Sequence, residues 1–160
     1  MPRTATVLRL LAQASLAGAV LGAAGCVQSV QYEPDRATRA YPFSQPQARV
    51  IEAQVFNNGE SITIVNATTE SFGPVDVWLN QRYMSRLDEG LAAGAVVEIP
   101  LSDFWDLRGE GPFPGGLLRY YPPTPVRLVQ LQPAPDAPLV GLVAIPTERE
   151  LDTIRIRGDS

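Results

Sequence analysis

Between Leu101 and Tyr121 the chain gathers Asp103, Asp106 and Glu110 beside Phe104, Trp105, Phe113, Tyr120 and Tyr121. Three carboxylates can contribute to a calcium site, but that ion wants about six to eight oxygen ligands. The spacing here matches no EF-hand loop, and no metal is expected. Paired carboxylates also run glycoside hydrolysis, yet any acidic chain holds such pairs by chance. Two readings remain. In one, Trp105, Phe113, Tyr120 and Tyr121 stack on a glycan or peptide while Asp103 and Asp106 fix its orientation. In the other, simpler one, Phe104 and Trp105 cover one end of the domain, and Tyr120-Tyr121 before Pro122-Pro123 fix a turn.

Composition narrows the rest. The chain has no His and no Lys, and Cys26 is its one cysteine. A His-based triad, a Ser–Lys dyad, the usual Cys/His zinc site and an internal disulfide are therefore excluded. No Gly-rich run is followed by Lys, so a Walker-type phosphate loop is absent. The net charge of -4 disfavours a basic groove for nucleic acid. No cofactor is expected and no enzymatic activity is assigned.

Cys26 closes an N-terminal segment with its own logic. Arg3 and Arg9 make the start basic, and residues 10 to 25 carry no charge. Sixteen residues at about 1.5 Å each reach roughly 24 Å, short of a comfortable membrane span. A basic start, a short uncharged stretch and small residues before the end read as a secretory signal. The run Leu21-Gly22-Ala23-Ala24-Gly25-Cys26 resembles the lipobox of bacterial lipoproteins. Ala24 and Gly25 match the small residues before the cysteine, whereas Ala23 departs from the usual Leu, Val or Ile.

That resemblance implies diacylglycerol on the Cys26 thiol, cleavage in front of it, and further acylation of the new amino terminus. Two or three acyl chains give stable membrane attachment where one does not. Val27 follows the cysteine, where lipoproteins kept in the inner membrane carry Asp, so the resemblance implies the outer membrane, facing the periplasm. Residues 1–25 are then a removable signal, and losing Arg3 and Arg9 makes the mature chain more acidic than the precursor.

Residues 26–48 read as lipid anchor and tether, with Pro34, Pro42 and Pro46 and no sustained period. Tyr32, Tyr41 and Phe43 are either isolated aromatics in this linker or pack on the domain edge. Residues 49–160 read as one domain of about seven short strands. VIEAQVF and SITIVN flank Asn58-Gly59, which predicts a hairpin with a type I′ turn. VDVWLN puts Val75, Val77 and Leu79 on one face and Asp76, Trp78 and Asn80 on the other. Trp78 reads as structural rather than as a ligand platform.

The run from Gln81 to Ala95, punctuated by Gly90 and Gly94, predicts at most a brief helical turn. VVEIPL follows as a strand whose Pro100 points to an edge or a strand end, and Ser102 is a candidate cap for the next turn. Strands at 126–132, 139–145 and 151–157 close the chain. With no long helical pattern between strands, the expected fold is all-β, an antiparallel β-sandwich of immunoglobulin-like or fibronectin type III-like kind, with a small barrel as the rival. The expected function is a lipid-anchored envelope protein with a non-catalytic structural or protein-interaction domain. Its expected partners are the membrane, through Cys26, and an envelope protein or a glycan.

Overall fold

The computed structural model describes residues 31–114, 123–148 and 151. Cys26, Tyr120 and Tyr121 lie outside the described residues, as does all of the strand expected over 151–157 except Leu151. The Leu151 N–H donates to the Thr147 carbonyl at 2.9 Å, a helical rather than an extended contact.

The chain is all-β, as its alternating apolar residues require. Among the described residues seven strands follow one another: β1 (Gln47–Asn57), β2 (Ser61–Asn66), β3 (Val75–Leu79), β4 (Tyr83–Leu87), β5 (Val96–Pro100), β6 (Val129–Gln132) and β7 (Leu139–Ile145). They join in a single sheet of order β4-β3-β6-β7-β1-β2-β5. Five neighbouring pairs are antiparallel, and the first and last strands, β1 and β7, run parallel. The sheet is thus mixed and continuous, where two separate antiparallel sheets were expected.

It curls, because one apolar core touches every strand. Ile51, Ala53 and Val55 of β1, Ile62 and Ile64 of β2, and Val75, Val77 and Leu79 of β3 belong to it. Tyr83, Ile99, Val129, Leu131, Val140 and Leu142 complete it from the other four. Strand β1 provides the bend. Its pairing with β7 shifts between Val50 and Gln54, so β1 carries more residues than β7 over that stretch. Such a bulge bends a strand and tightens its twist; beyond it, Gln54, Val55 and Phe56 pair with β7 on one side and β2 on the other.

The β1–β2 hairpin forms at the expected place with a different turn. Gly59 has φ +92, but Asn58 does not share a positive φ, so the type I′ assignment fails. Instead the Asn57 side chain accepts the Gly59 N–H at 2.9 Å, and the Asn58 N–H donates to the Ser61 carbonyl at 2.9 Å.

Positive φ at consecutive residues occurs where no hairpin was expected. Asn80 and Gln81 have φ of 52 and 58, and the Arg82 N–H closes on the Leu79 carbonyl at 3.1 Å. This turn creates β4 from a run that lacks the usual glycine signal. Asn80 tolerates the left-handed region better than most residues. Its carboxamide is also held from both sides, accepting the N–H groups of Arg127 and Leu128 and donating to the Pro125 carbonyl at 2.6 Å.

At the far edge, β5 pairs with β2 and ends at Pro100, which fits proline's missing donor. The short 3-10 turn Leu101–Asp103 that follows has no side-chain cap, so Ser102 does not serve as one.

Candidate functional site

Every residue of β3 is buried. A strand in a one-layer sheet hides both faces only if something covers the far side. Here the cover is the segment 31–46, most of the stretch expected to be a tether. It runs from the β3–β4 turn, where Arg82 meets Asp106, across the outer face of β3 and β6, and enters β1 at Gln47. We call it the strap.

Under the strap lies a row of polar groups set by register. Asp76 pairs with Arg86 on β4 and Gln132 on β6, while Trp78 pairs with Met84 and Gln130. Arg39 of the strap donates to Asp76 Oδ2 at 2.6 Å and to Gln132 Oε1 at 2.7 Å. Its guanidinium also sits 4.8 Å from the Trp78 ring centroid, a favourable cation–π distance. Arg86 reaches Asp76 Oδ1 at 2.7 Å, so one carboxylate holds two arginines.

Trp78 is fully buried and donates its indole N–H to Gln132 Oε1 at 3.0 Å. The Gln132 amide nitrogen donates in turn to the Pro135 and Ala137 carbonyls, and the side chain is fully engaged. Further along, Tyr41 donates to Gln130 Oε1 at 2.8 Å and packs edge-on against Trp78. Gln130 donates to Gln47 Oε1 at 2.6 Å, over Gly141, where a Cβ would meet the Gln47 side chain at 3.0 Å. Buried polar groups are costly unless paired, and this row is paired throughout. Tyr41 therefore packs on the domain, while Phe43 and Tyr32 are exposed.

The expected aromatic and acidic stretch is arranged differently from an open platform. Trp105 is buried, forms a bridge with Met84 on the edge of β4, and carries Arg36 at 5.4 Å over its ring. Its indole N–H has no partner among the described residues. Phe104 is fully buried in the core. Asp103 is exposed and Phe113 half-buried, apart from the buried Asp106 in environment.

Asp106 organises a turn instead of presenting a free acid. One oxygen accepts the N–H groups of Arg108 and Glu110 at 2.8 and 2.9 Å. The other receives both Nε and Nη2 of Arg82, at 3.0 and 2.8 Å, two charge-assisted bonds converging on one oxygen. Arg82 also pairs with Glu110. Burial alone would push the Asp106 carboxyl up, but these donors outweigh it and hold the group below the ordinary 3.8.

A depressed carboxylate contributes stability that is complete above its unfolded value and lost as pH falls through the folded one. Asp106→Asn should therefore destabilise the domain at pH 7, with the gap to wild type closing below about pH 4. Urea midpoints at the two pH values check this, and a gap that stays constant in acid would show that the charge is irrelevant.

Among the described residues no group of three His, Cys, Asp or Glu side chains is placed to hold a metal ion. No helix among them is long and apolar enough to cross a membrane. Comparison of the chain with protein-family models, curated proteins and solved structures returns no match. What the residues define is an all-β domain with its own N-terminal segment clamped across one face.

Sequence reasoning read Asp76 and Trp78 as sharing a face but did not pair them with Arg39, Tyr41, Gln130 and Gln132. One signal was available: Gln130 and Gln132 alternate with Val129 and Leu131 just as Asp76 and Trp78 alternate with Val75 and Val77. Two adjacent strands with a polar outer row and a buried-size aromatic call for a cover.

Proposed function

We propose that this chain is a lipid-anchored bacterial envelope protein whose β domain works by protein contact rather than catalysis. The observation that carries the anchor is Cys26 itself, with Ala24 and Gly25 before it and an uncharged stretch behind a basic start. The non-catalytic reading draws on the engagement of Asp106 and Trp105 inside the fold, which leaves Asp103 as the exposed acid of the pair first considered. Placement in the outer membrane, facing the periplasm, rests on Val27.

We also read the sheet as an immunoglobulin-like sandwich joined along one side. In that arrangement β4-β3-β6-β7 correspond to the C′, C, F and G strands and β1-β2-β5 to A, B and E. The core sits between the two halves, and the β1–β7 pair is the seam.

Labelled palmitate fed to expressing cells should be incorporated into the wild-type chain and lost in Cys26→Ser. Undiminished label in that variant would overturn the anchor. For the contact function, a version lacking residues 1–26 should retain one reproducible partner from envelope extracts. No partner, together with measurable affinity for a small ligand, would favour the second reading. The burial of Trp105 counts against that reading, a glycan- or peptide-binding loop, and calorimetry with glycan fragments on wild type and Trp105→Ala tests it.

A further inference from the structure

The strap changes how far the domain stands from its anchor. Its first residues are held by a short run of backbone contacts to the turn after Asp106. The Gln31 carbonyl accepts the Gly111 N–H at 2.8 Å, and the Glu33 N–H donates to the Gly109 carbonyl at 2.8 Å. Gly109 has φ +76, and a Cβ there would meet the Glu33 carbonyl oxygen at 2.2 Å, so this close approach requires glycine. Further on, the Thr38 N–H donates to the Asp106 carbonyl at 2.9 Å and its hydroxyl to the Trp105 carbonyl at 2.8 Å.

From Cys26 to Gln31 there are then only five residue steps, which reach at most about 17 Å fully extended. The corner where the strap starts must lie within that distance of the lipid-bearing residue. It carries two exposed apolar side chains: Tyr32, 62% exposed and bridged to Glu110, and Leu107, 57% exposed at the tip of the same turn. Around them Arg36 and Arg108 stand against Glu33, Asp35 and Glu110, a near balance of charge. A tyrosine with an apolar body and polar tip, next to an aliphatic tip and arginines with long stems, suits the boundary between headgroups and acyl chains.

We propose that the Tyr32–Leu107 corner is the membrane-apposed surface of the lipidated protein, resting on phospholipid, so that the domain sits on the bilayer instead of swinging on a long stalk. This rests on the lipidation of Cys26. The balanced local charge points to zwitterionic lipid rather than to attraction by anionic headgroups.

The test uses the mature lipidated chain in phosphatidylcholine vesicles. Cys26 is blocked by its lipid, so a second cysteine is uniquely reactive. Leu107→Cys and Asp136→Cys each receive an environment-sensitive fluorophore. Asp136 is exposed in the turn between β6 and β7, at the end of the strands away from Arg82. Quenchers carried on the lipid chains should extinguish the label at 107 and leave the label at 136 bright. Equal exposure of both labels to water, with acyl mass confirmed on Cys26 by mass spectrometry, overturns the proposed surface while leaving the anchor standing. Absence of acyl mass on Cys26 overturns both. Quenching of both labels alike would also overturn the proposal, because it shows no preferred face.

Discussion

Replacing Trp78 by Ala is expected to lower the stability of the domain by about 3–5 kcal/mol, the usual cost of emptying a fully buried large aromatic site. The indole is wedged between β3 and the strap. It meets Tyr41 edge-on with ring centroids 5.3 Å apart, supports Arg39 from below, and packs with Leu139 and Met84. Removing it opens a cavity with strap on one side and sheet on the other, and the strap side is the one free to move. The loss should therefore appear twice: as a lower urea midpoint, and as faster tryptic cleavage at Arg36 and Arg39. Trp105→Phe is the informative comparison. The indole N–H of Trp105 has no partner among the described residues, so no paired hydrogen bond is broken, and the expected cost is only about 1 kcal/mol. Equal losses for Trp78→Phe and Trp105→Phe would show that the Gln132 bond contributes nothing.

The second large effect is expected at Asp76. Its carboxylate is 5% exposed and is the shared partner of Arg39 and Arg86. Deleting one partner of a buried pair costs about 3–5 kcal/mol where the remaining charge is trapped. Here the two arginines are about a third to a half exposed and can regain water, so Asp76→Ala should cost about 2–3 kcal/mol. Gln132 keeps its bond to Trp78, which means the sheet should survive while the strap loosens. Circular dichroism near wild type, combined with rapid cleavage at Arg39, is the expected pattern. An unchanged urea midpoint and unchanged proteolysis would remove Asp76 from any account of how the strap is held.

Much of the sheet was legible because apolar alternation survives in any local context. Ile62 and Ile64, Val75, Val77 and Leu79, and Val129 and Leu131 all face the core, and Pro100 marked an edge correctly. What escaped was set by partners distant in sequence. Strand β4 was missed because its turn uses Asn80-Gln81, whose left-handed backbone is held by Pro125, Arg127 and Leu128. The parallel seam was missed because nothing local distinguishes a parallel neighbour from an antiparallel one. The strap has no period to read, since its course is set by Asp76, Gln132 and Asp106, and its internal contacts are short turns such as Pro34–Arg36. Asp106 was legible as a carboxylate beside aromatics, but its role depends on Arg82, on the other side of β4 and β5. Trp78 was read as structural from its place in a strand, although the cation and phenol that cover it were not foreseen.

The pairing of β1 with β7 also constrains when the domain can be completed. Its contacts join residues such as Val50 and Gly141, near opposite ends of the domain. Closing so long a loop is slow, and folds dominated by distant pairings complete late. Strand β2 can hold β1 early through their hairpin, but the seam cannot form until Leu139–Ile145 has been made and delivered. A chain built this way stays incomplete, with β1 waiting for its neighbour, throughout synthesis of everything before β7. On the proposed route of export through a membrane, that delay keeps the chain transportable until β7 arrives.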